Sequence, residues 1–271
     1  PPMPTIDVNG TTLYYEDDGP RDAPVLLMSA SMFFDARMFQ AQADQFADRY
    51  RVVRYDHRGQ GRSARAPRDQ LDYDTHTADV VALIDALDLA PVVFVGNSMG
   101  GFIGLRLAAR HPELLRSAVV MGTSADVEEQ ADEMDQLVEV LAEHGMEPVL
   151  DGVLQFMMGT TTLTDPSRAE VLAGVRELLL SRGPEYADSA WNIAHRPGVL
   201  DELGDIAVPL VVVAGTEDAT YPPAKSEQIV AGVPHAELIR MENTGHVHAL
   251  ENPEAVNEVL ERHLAKVAPV S

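Results

Sequence analysis

The chain contains no cysteine. That absence excludes disulfides, thiolate nucleophiles and cysteine-bound metals. It leaves the compartment open, with cytoplasmic as the default expectation. Lysine is nearly missing as well, with Lys225 and Lys266 as the only two. The other basic side chains are arginines, and 20 basic residues face 43 acidic ones for a net charge of −23. A field of that sign repels nucleic acid and anionic membranes, so neither is expected as a partner. It also disfavours polyanionic substrates unless basic groups gather at the site. No apolar run approaches the ~20 residues needed to span a bilayer. The opening Pro1-Pro2-Met3-Pro4 has neither the basic nor the apolar region of a secretory leader, so none is expected.

What remains is ample for a core: 45% of the 271 residues are hydrophobic. That length fits one α/β domain with an insertion, or two small domains. Asn9-Gly10 between two strand-like runs, Thr5 to Val8 and Thr11 to Glu16, predicts a hairpin. Short apolar runs at Val25–Met28, Arg51–Tyr55, Val92–Val95, Ala118–Gly122, Leu210–Gly215 and Ala236–Met241 read as buried parallel strands. Helical patterns lie between them at Met38–Tyr50, Asp79–Leu89 and Phe102–Arg110, and Pro253–Val267 closes the chain. The alternation predicts a mostly parallel sheet covered by helices on both faces.

One region breaks the alternation. From Ser124 to Ile206 there are only helical stretches: Val127–His144, Met146–Met158, Ser167–Ser181 and Glu185–His195. Gly145, Gly159, Gly183-Pro184 and Pro197-Gly198 punctuate them. The chain therefore divides into core residues 1–123, a helical insertion at 124–206, and core residues 207–271. The insertion's Trp191, the sole tryptophan, and Phe156, Met157 and Met158 are candidates for a pocket or for a small core of its own.

The most informative stretch is Val92-Val93-Phe94-Val95-Gly96-Asn97-Ser98-Met99-Gly100-Gly101. A β-branched run, then Gly-x-Ser-x-Gly, then a helix gives a sharp turn that exposes Ser98 in a strained backbone. A serine hydroxyl needs a general base, and the base needs an acid to orient it. In a strand–turn–helix site of this kind the order is serine, acid, histidine. Asp218 follows the Leu210–Gly215 strand and His246 follows the Ala236–Met241 strand, so both reach the sheet edge of Ser98. Among nine histidines, His248 is the rival base; Glu217 and Asp126 are the rival acids. The oxyanion needs two backbone donors. Met99 N–H, at a helix start, is one; the loop Ser29-Ala30-Ser31-Met32-Phe33-Phe34 supplies the other.

These features resemble the α/β-hydrolase superfamily along essentially the whole chain. The motifs that carry it are that loop, Asp56-His57-Arg58-Gly59-Gln60-Gly61-Arg62-Ser63, Gly96-Asn97-Ser98-Met99-Gly100, and the Asp218/His246 pair. The resemblance implies an α/β-hydrolase fold with an eight-stranded sheet and a helical cap. It implies Ser98 as nucleophile, His246 as base, Asp218 as acid, and the Met32 and Met99 amides as oxyanion hole. Ser31, Phe33, Phe34 and Trp191 are expected at the substrate pocket. No metal or organic cofactor is implied. The Ser-x-Ser loop is similar to that of 3-oxoadipate enol-lactonases, as are Arg51–Asp56, Ala108–Glu113 and the short helical cap. Those enzymes usually carry Leu-Gly after the Ser-x-Ser, where this chain has Met32-Phe33-Phe34. The expected activity is hydrolysis of a small-molecule ester or lactone. Asn97 before the serine resembles carbon–carbon bond hydrolases, and cofactor-free perhydrolases and haloperoxidase-like esterases share the same triad. The complete triad argues against a non-enzymatic binding protein. Four arginines of the insertion, Arg168, Arg176, Arg182 and Arg196, are the residues that could instead select an anionic substrate.

Overall fold

The computed structural model describes residues 3–270. Pro1 and Pro2, at the start of the stretch read as lacking a leader, lie outside the described residues. Among the described residues no helix is long and apolar enough to cross a membrane.

Eight strands form one sheet: β1 (Thr5–Val8), β2 (Thr11–Asp18), β3 (Val25–Ser29), β4 (Arg51–Tyr55), β5 (Val92–Asn97), β6 (Leu115–Met121), β7 (Leu210–Gly215) and β8 (Glu237–Met241). Their spatial order is β1-β2-β4-β3-β5-β6-β7-β8. Asn9 and Gly10 both take positive φ, and Val8 pairs with Thr11 across the expected two-residue hairpin. The β1–β2 and β2–β4 pairs are antiparallel, and from β4 to β8 every pair is parallel. The parallel strands β3, β4, β5 and β7 are buried along their whole length, as helices on both faces require.

The helices are α1 (Gln40–Phe46), α2 (Tyr73–Ala86), α3 (Met99–Arg110), α4 (Ala131–His144), α5 (Leu150–Met157), α6 (Thr160–Thr164), α7 (Ala169–Leu180), α8 (Ala187–Ala194), α9 (Pro223–Gly232), α10 (His248–Glu251) and α11 (Pro253–Val267). Two differ from the sequence expectation for local reasons. α2 begins six residues earlier than its apolar stripe, because the Asp72 carboxylate accepts from Thr75 N–H at 2.9 Å and caps it. The helix expected from Met38 starts as a 3₁₀ turn, Ala36–Phe39, capped by Asp35. Between β6 and β7 the chain contains α4 to α8 and no strand. The short α6 carries no apolar periodicity and so leaves no mark in the sequence pattern.

Parallel strands end in register, so Ser29, Asn97, Met121, Gly215 and Met241 bring their following loops to one edge of the sheet. In open α/β sheets that carboxyl edge is where ligands bind.

Candidate active site

Ser98 sits between β5 and α3 with φ +54° and ψ −109°. A non-glycine residue in that region is strained by about 1–3 kcal/mol. The surroundings fix it: Ser98 N–H donates to Met121 O at 2.9 Å, and Ser98 O accepts from Thr123 Oγ1 at 3.0 Å. The two flanking glycines are a packing necessity. A Cβ at Gly96 would collide with the Gly100 carbonyl, and one at Gly100 with the Ser29 carbonyl.

His246 and Asp218 arrive from β8 and β7. His246 Nδ1 lies 3.0 and 3.1 Å from the Asp218 carboxylate oxygens, and both side chains are buried. Asp218 Oδ1 also accepts from Thr220 N–H and Tyr221 N–H, each at 2.9 Å, which fixes the carboxylate plane. His246 Nε2 is buried and has no hydrogen-bond partner among the described residues. His246 lines the same cavity as Ser98.

The rivals are engaged elsewhere. His248 is fully buried and does not line the cavity; burial pushes its pKa down to about 4, against the pull of nearby Asp218. Its Nδ1 donates to His246 O at 3.1 Å. Glu217 accepts from Thr161 N–H and Thr161 Oγ1, both at 2.7 Å, and so ties α6 to the core. Asp126 receives Val127 N–H at 2.8 Å and lies 3.7 Å from Lys225.

Asn97 fastens the serine turn to the histidine loop. Its Nδ2 donates to His246 O at 2.9 Å, and its Oδ1 accepts from His248 N–H at 3.1 Å. The sequence offers a resemblance for this residue but not this role.

In the loop after β3, Phe34 N–H closes a turn onto Ser31 O at 3.1 Å. The two central residues, Met32 and Phe33, therefore face the cavity, while the corner residues turn into the core. Ser31 is buried, with its Oγ 3.4 Å from Asn97 O, and does not line the cavity. Phe34 lines a separate hollow of about 290 Å³ with Asp35, Met38 and Leu250. The expected placements of Ser31 and Phe34 at the pocket are thus corrected. Trp191 is corrected as well. It stacks on His195 with ring centres 4.1 Å apart and lies under Arg68, away from the cavity. Ile193 lines the cavity instead. Two residues apart on α8, the pair differ by about 200° around the helix axis.

The cavity holds about 310 Å³. Its floor is Ser98, His246, Thr220 and Tyr221; its walls are Met32, Phe33 and the α4–α5 residues Met134, Leu137, Val153, Phe156 and Met157. Glu128, Gln130 and Glu133 are at the polar side, and no lysine or arginine lines it. The four arginines of the insertion are spoken for. Arg196 is buried, 4.0 Å over the Phe102 ring and 3.1 Å from Glu128. Arg182 pairs with Asp35 at 2.9 Å, Arg176 with Asp151 at 3.0 Å, and Arg168 donates to Asn243 O at 2.7 Å. A shallower hollow of about 430 Å³ beside α2 contains no serine, threonine or cysteine. Among the described residues no cluster of three or more His, Asp or Glu could hold a metal ion.

A mostly parallel eight-stranded sheet, a strained serine turn and a histidine–aspartate pair on the same edge define an α/β hydrolase. Residues 26–253 match the alpha/beta hydrolase fold family, and the chain belongs to that family. It is 29% identical over 258 residues to 3-oxoadipate enol-lactonase 2 of Acinetobacter baylyi, covering 95% of this chain and 94% of that one. Among solved structures it resembles the enol-lactonase from Burkholderia xenovorans, with a TM-score of 0.89, 29% identity, and coverage of 97% of this chain and 100% of that one. A thermophilic esterase from Thermogutta terrifontis also superposes at 0.89, with 25% identity and 98% and 100% coverage.

Proposed function

We propose that the protein hydrolyses neutral, moderately apolar carboxylic esters or lactones through an acyl-enzyme on Ser98. One observation carries this reading: the cavity lined by both Ser98 and His246, whose Nε2 is unpartnered, has apolar walls and no cationic side chain. Apolar walls with a few convergent polar groups are the usual form of a small-molecule site. The named enol-lactonase and esterase relatives support the same reaction class.

With its proton on Nδ1 and directed at Asp218, His246 has Nε2 left as an acceptor. Ser98 Oγ adds to the substrate carbonyl carbon as Nε2 takes the hydroxyl proton. The oxyanion sits on Met32 N–H and Met99 N–H, neither of which donates elsewhere among the described residues. Collapse breaks the bond to the leaving alkoxide or enolate, which takes the proton from His246. Water then attacks the acyl-enzyme by the same route and releases the acid and Ser98. Residues 124–206 serve as the cap that shapes the pocket.

Asn97 no longer favours carbon–carbon cleavage, because both ends of its side-chain amide are used to brace the histidine loop. The test is a side-by-side kcat/KM measurement on a neutral lactone and on an enol-lactone bearing a carboxylate, at two ionic strengths, with Ser98→Ala as control. The neutral substrate should win. A clear win for the anionic lactone would overturn the substrate class. Full activity in Ser98→Ala would overturn the mechanism.

A further inference from the structure

Phe33 has φ +73° at the third position of the Ser31–Phe34 turn. That conformation is open to glycine and costly for a bulky side chain, by about 1–3 kcal/mol. Such strain persists only where the surroundings over-determine it. Two side chains do so here. Phe33 N–H donates to Gln60 Oε1 at 2.9 Å, and Phe33 O accepts from Arg182 Nε at 2.7 Å. Gln60 belongs to the core and also touches Met99 Sδ at 3.1 Å. Arg182 belongs to the insertion.

Arg182 is itself fixed. Only 9% of its side chain is exposed, it pairs with buried Asp35 at 2.9 Å, and its guanidinium lies 5.3 Å from the Tyr186 ring centre. Tyr186 packs against Phe33 at 5.9 Å between ring centres and accepts from Gly61 N–H at 2.8 Å. Residues 182–186 therefore clasp two core loops: the turn with Met32, which forms part of the cavity wall, and the segment with Gln60 and Gly61 behind it.

We infer that Arg182 is a positioning residue that holds the Met32–Phe33 turn in its strained form, so that the oxyanion hole is complete only with the insertion docked. This rests on the proposed acyl-enzyme reading. Without the bond at the Phe33 carbonyl, the turn relaxes toward negative φ. The Met32 amide, one residue away, then loses its aim. A displacement of about 1 Å in a preorganised site costs on the order of 100-fold in rate.

The test uses the full chain and a p-nitrophenyl butyrate assay, with fluorophosphonate labelling of Ser98 in the wild type as a separate check. Arg182→Met should lower kcat about 10- to 100-fold and change KM less than about threefold, the pattern of a loss felt in the transition state. Adding Phe33→Gly should restore most of that kcat, because glycine takes positive φ without strain. Adding Phe33→Ala instead should not, because it removes the ring and keeps the strain. Arg182→Lys, which retains one donor, should fall between and serves if Arg182→Met does not fold. An unchanged kcat, a loss carried by KM alone, or equal loss in the wild-type and Phe33→Gly backgrounds would overturn the inference. An unlabelled Ser98 in the wild type would instead remove the acyl-enzyme reading beneath it.

Discussion

The sheet edge and the helical insertion meet at one cavity but are built on opposite plans. At the sheet edge, directional bonds fix almost every polar group. Asn97 braces two backbone sites of the histidine loop, Asp218 receives two amides and an imidazole, and Ser98 is tied through both its N–H and its carbonyl. The insertion walls the cavity mainly with Met134, Leu137, Val153, Phe156, Met157 and Ile193, whose side-chain contacts have no direction, and keeps Glu128, Gln130 and Glu133 to one polar side. Its polar links to the core lie both at the margins, with Arg182 on Phe33 O, Thr161 on Glu217, and Gly159 and Thr162 on buried Glu251, and at the cavity, where its Phe156 and Met157 carbonyls and Glu128 accept from Thr220 Oγ1, His246 N–H and Tyr221 OH. The first plan suits chemistry, where a misplaced donor costs orders of magnitude. The second suits selection among substrates, where a methylene is worth only about 1–3 kcal/mol.

The largest effects should follow substitutions at the sheet edge. Ser98→Ala and His246→Ala should each lower kcat by roughly 10⁶-fold, the scale of triad removal. Asp218→Asn should cost less, because the acid orients and does not itself move the proton. His248→Ala should keep activity within about tenfold while lowering Tm, since it empties a buried site without touching the cavity. Steady-state kinetics with thermal melts on the four variants decides this. A dead His248→Ala with an active His246→Ala would reverse the assignment of the base.

A second difference is in acid sensitivity. His57, His76, His248 and His263 are all buried in the core and all pushed below the ordinary histidine value by burial, His76 to about 3 and His248 and His263 to about 4. The insertion's His144 and His195 are 61% and 35% exposed. Between about pH 6.5 and 4 the unfolded chain therefore binds more protons than the folded one, so stability rises with pH in that window. The contribution is complete above about pH 6.5. It is lost as pH falls toward 4, at no more than about 1.4 kcal/mol per pH step of one for each histidine. Glu251, raised by burial, works in the opposite direction but is one group against four. Urea midpoints should be clearly lower at pH 5.0 than at pH 7.5. Equal midpoints would mean that the core histidines are not held neutral.

The same contrast explains what can be read from the sequence. The hairpin at Asn9-Gly10, the buried strands and the serine turn are legible because each is written in adjacent residues. Asp218 and His246 are legible because they follow recognisable strands. The pocket is not legible. Trp191 and Ile193 are equally apolar and two positions apart, and only packing decides which one faces the cavity. Arg182 is visible as a cation in the insertion, but its partners Phe33 and Asp35 lie almost 150 residues away. Nothing local in the sequence shows that it is already satisfied. Phe33 can be compared with the glycine of enol-lactonases, but its positive φ needs the structure.

Size selection in the insertion should give an intermediate effect. Phe156 lines the cavity and is half exposed at its rim. Phe156→Ala should lower kcat/KM for longer acyl esters by about tenfold, in line with the worth of one or two methylenes. It should leave acetate esters nearly unchanged. A uniform loss across chain lengths would mean that Phe156 supports the insertion and does not meet the acyl chain.

The smallest effect should come from charge at the rim. Glu133 is exposed, lines the cavity and has no basic neighbour within the cavity wall. Glu133→Lys changes the local charge by two without adding bulk to the apolar wall. At about 10 Å in water each elementary charge is worth about 0.4 kcal/mol, so the pair gives about a fourfold gain for a substrate carboxylate. The gain should fade at high salt, where the screening length drops to a few ångströms. kcat/KM for a neutral lactone should stay the same at both ionic strengths, because it carries no charge for the field to act on. A gain much above tenfold, or one that survives high salt, would mean that the new lysine contacts the carboxylate directly. The apolar wall would then lie within reach of the acidic rim, and the insertion would offer a directional contact that this structure does not give it.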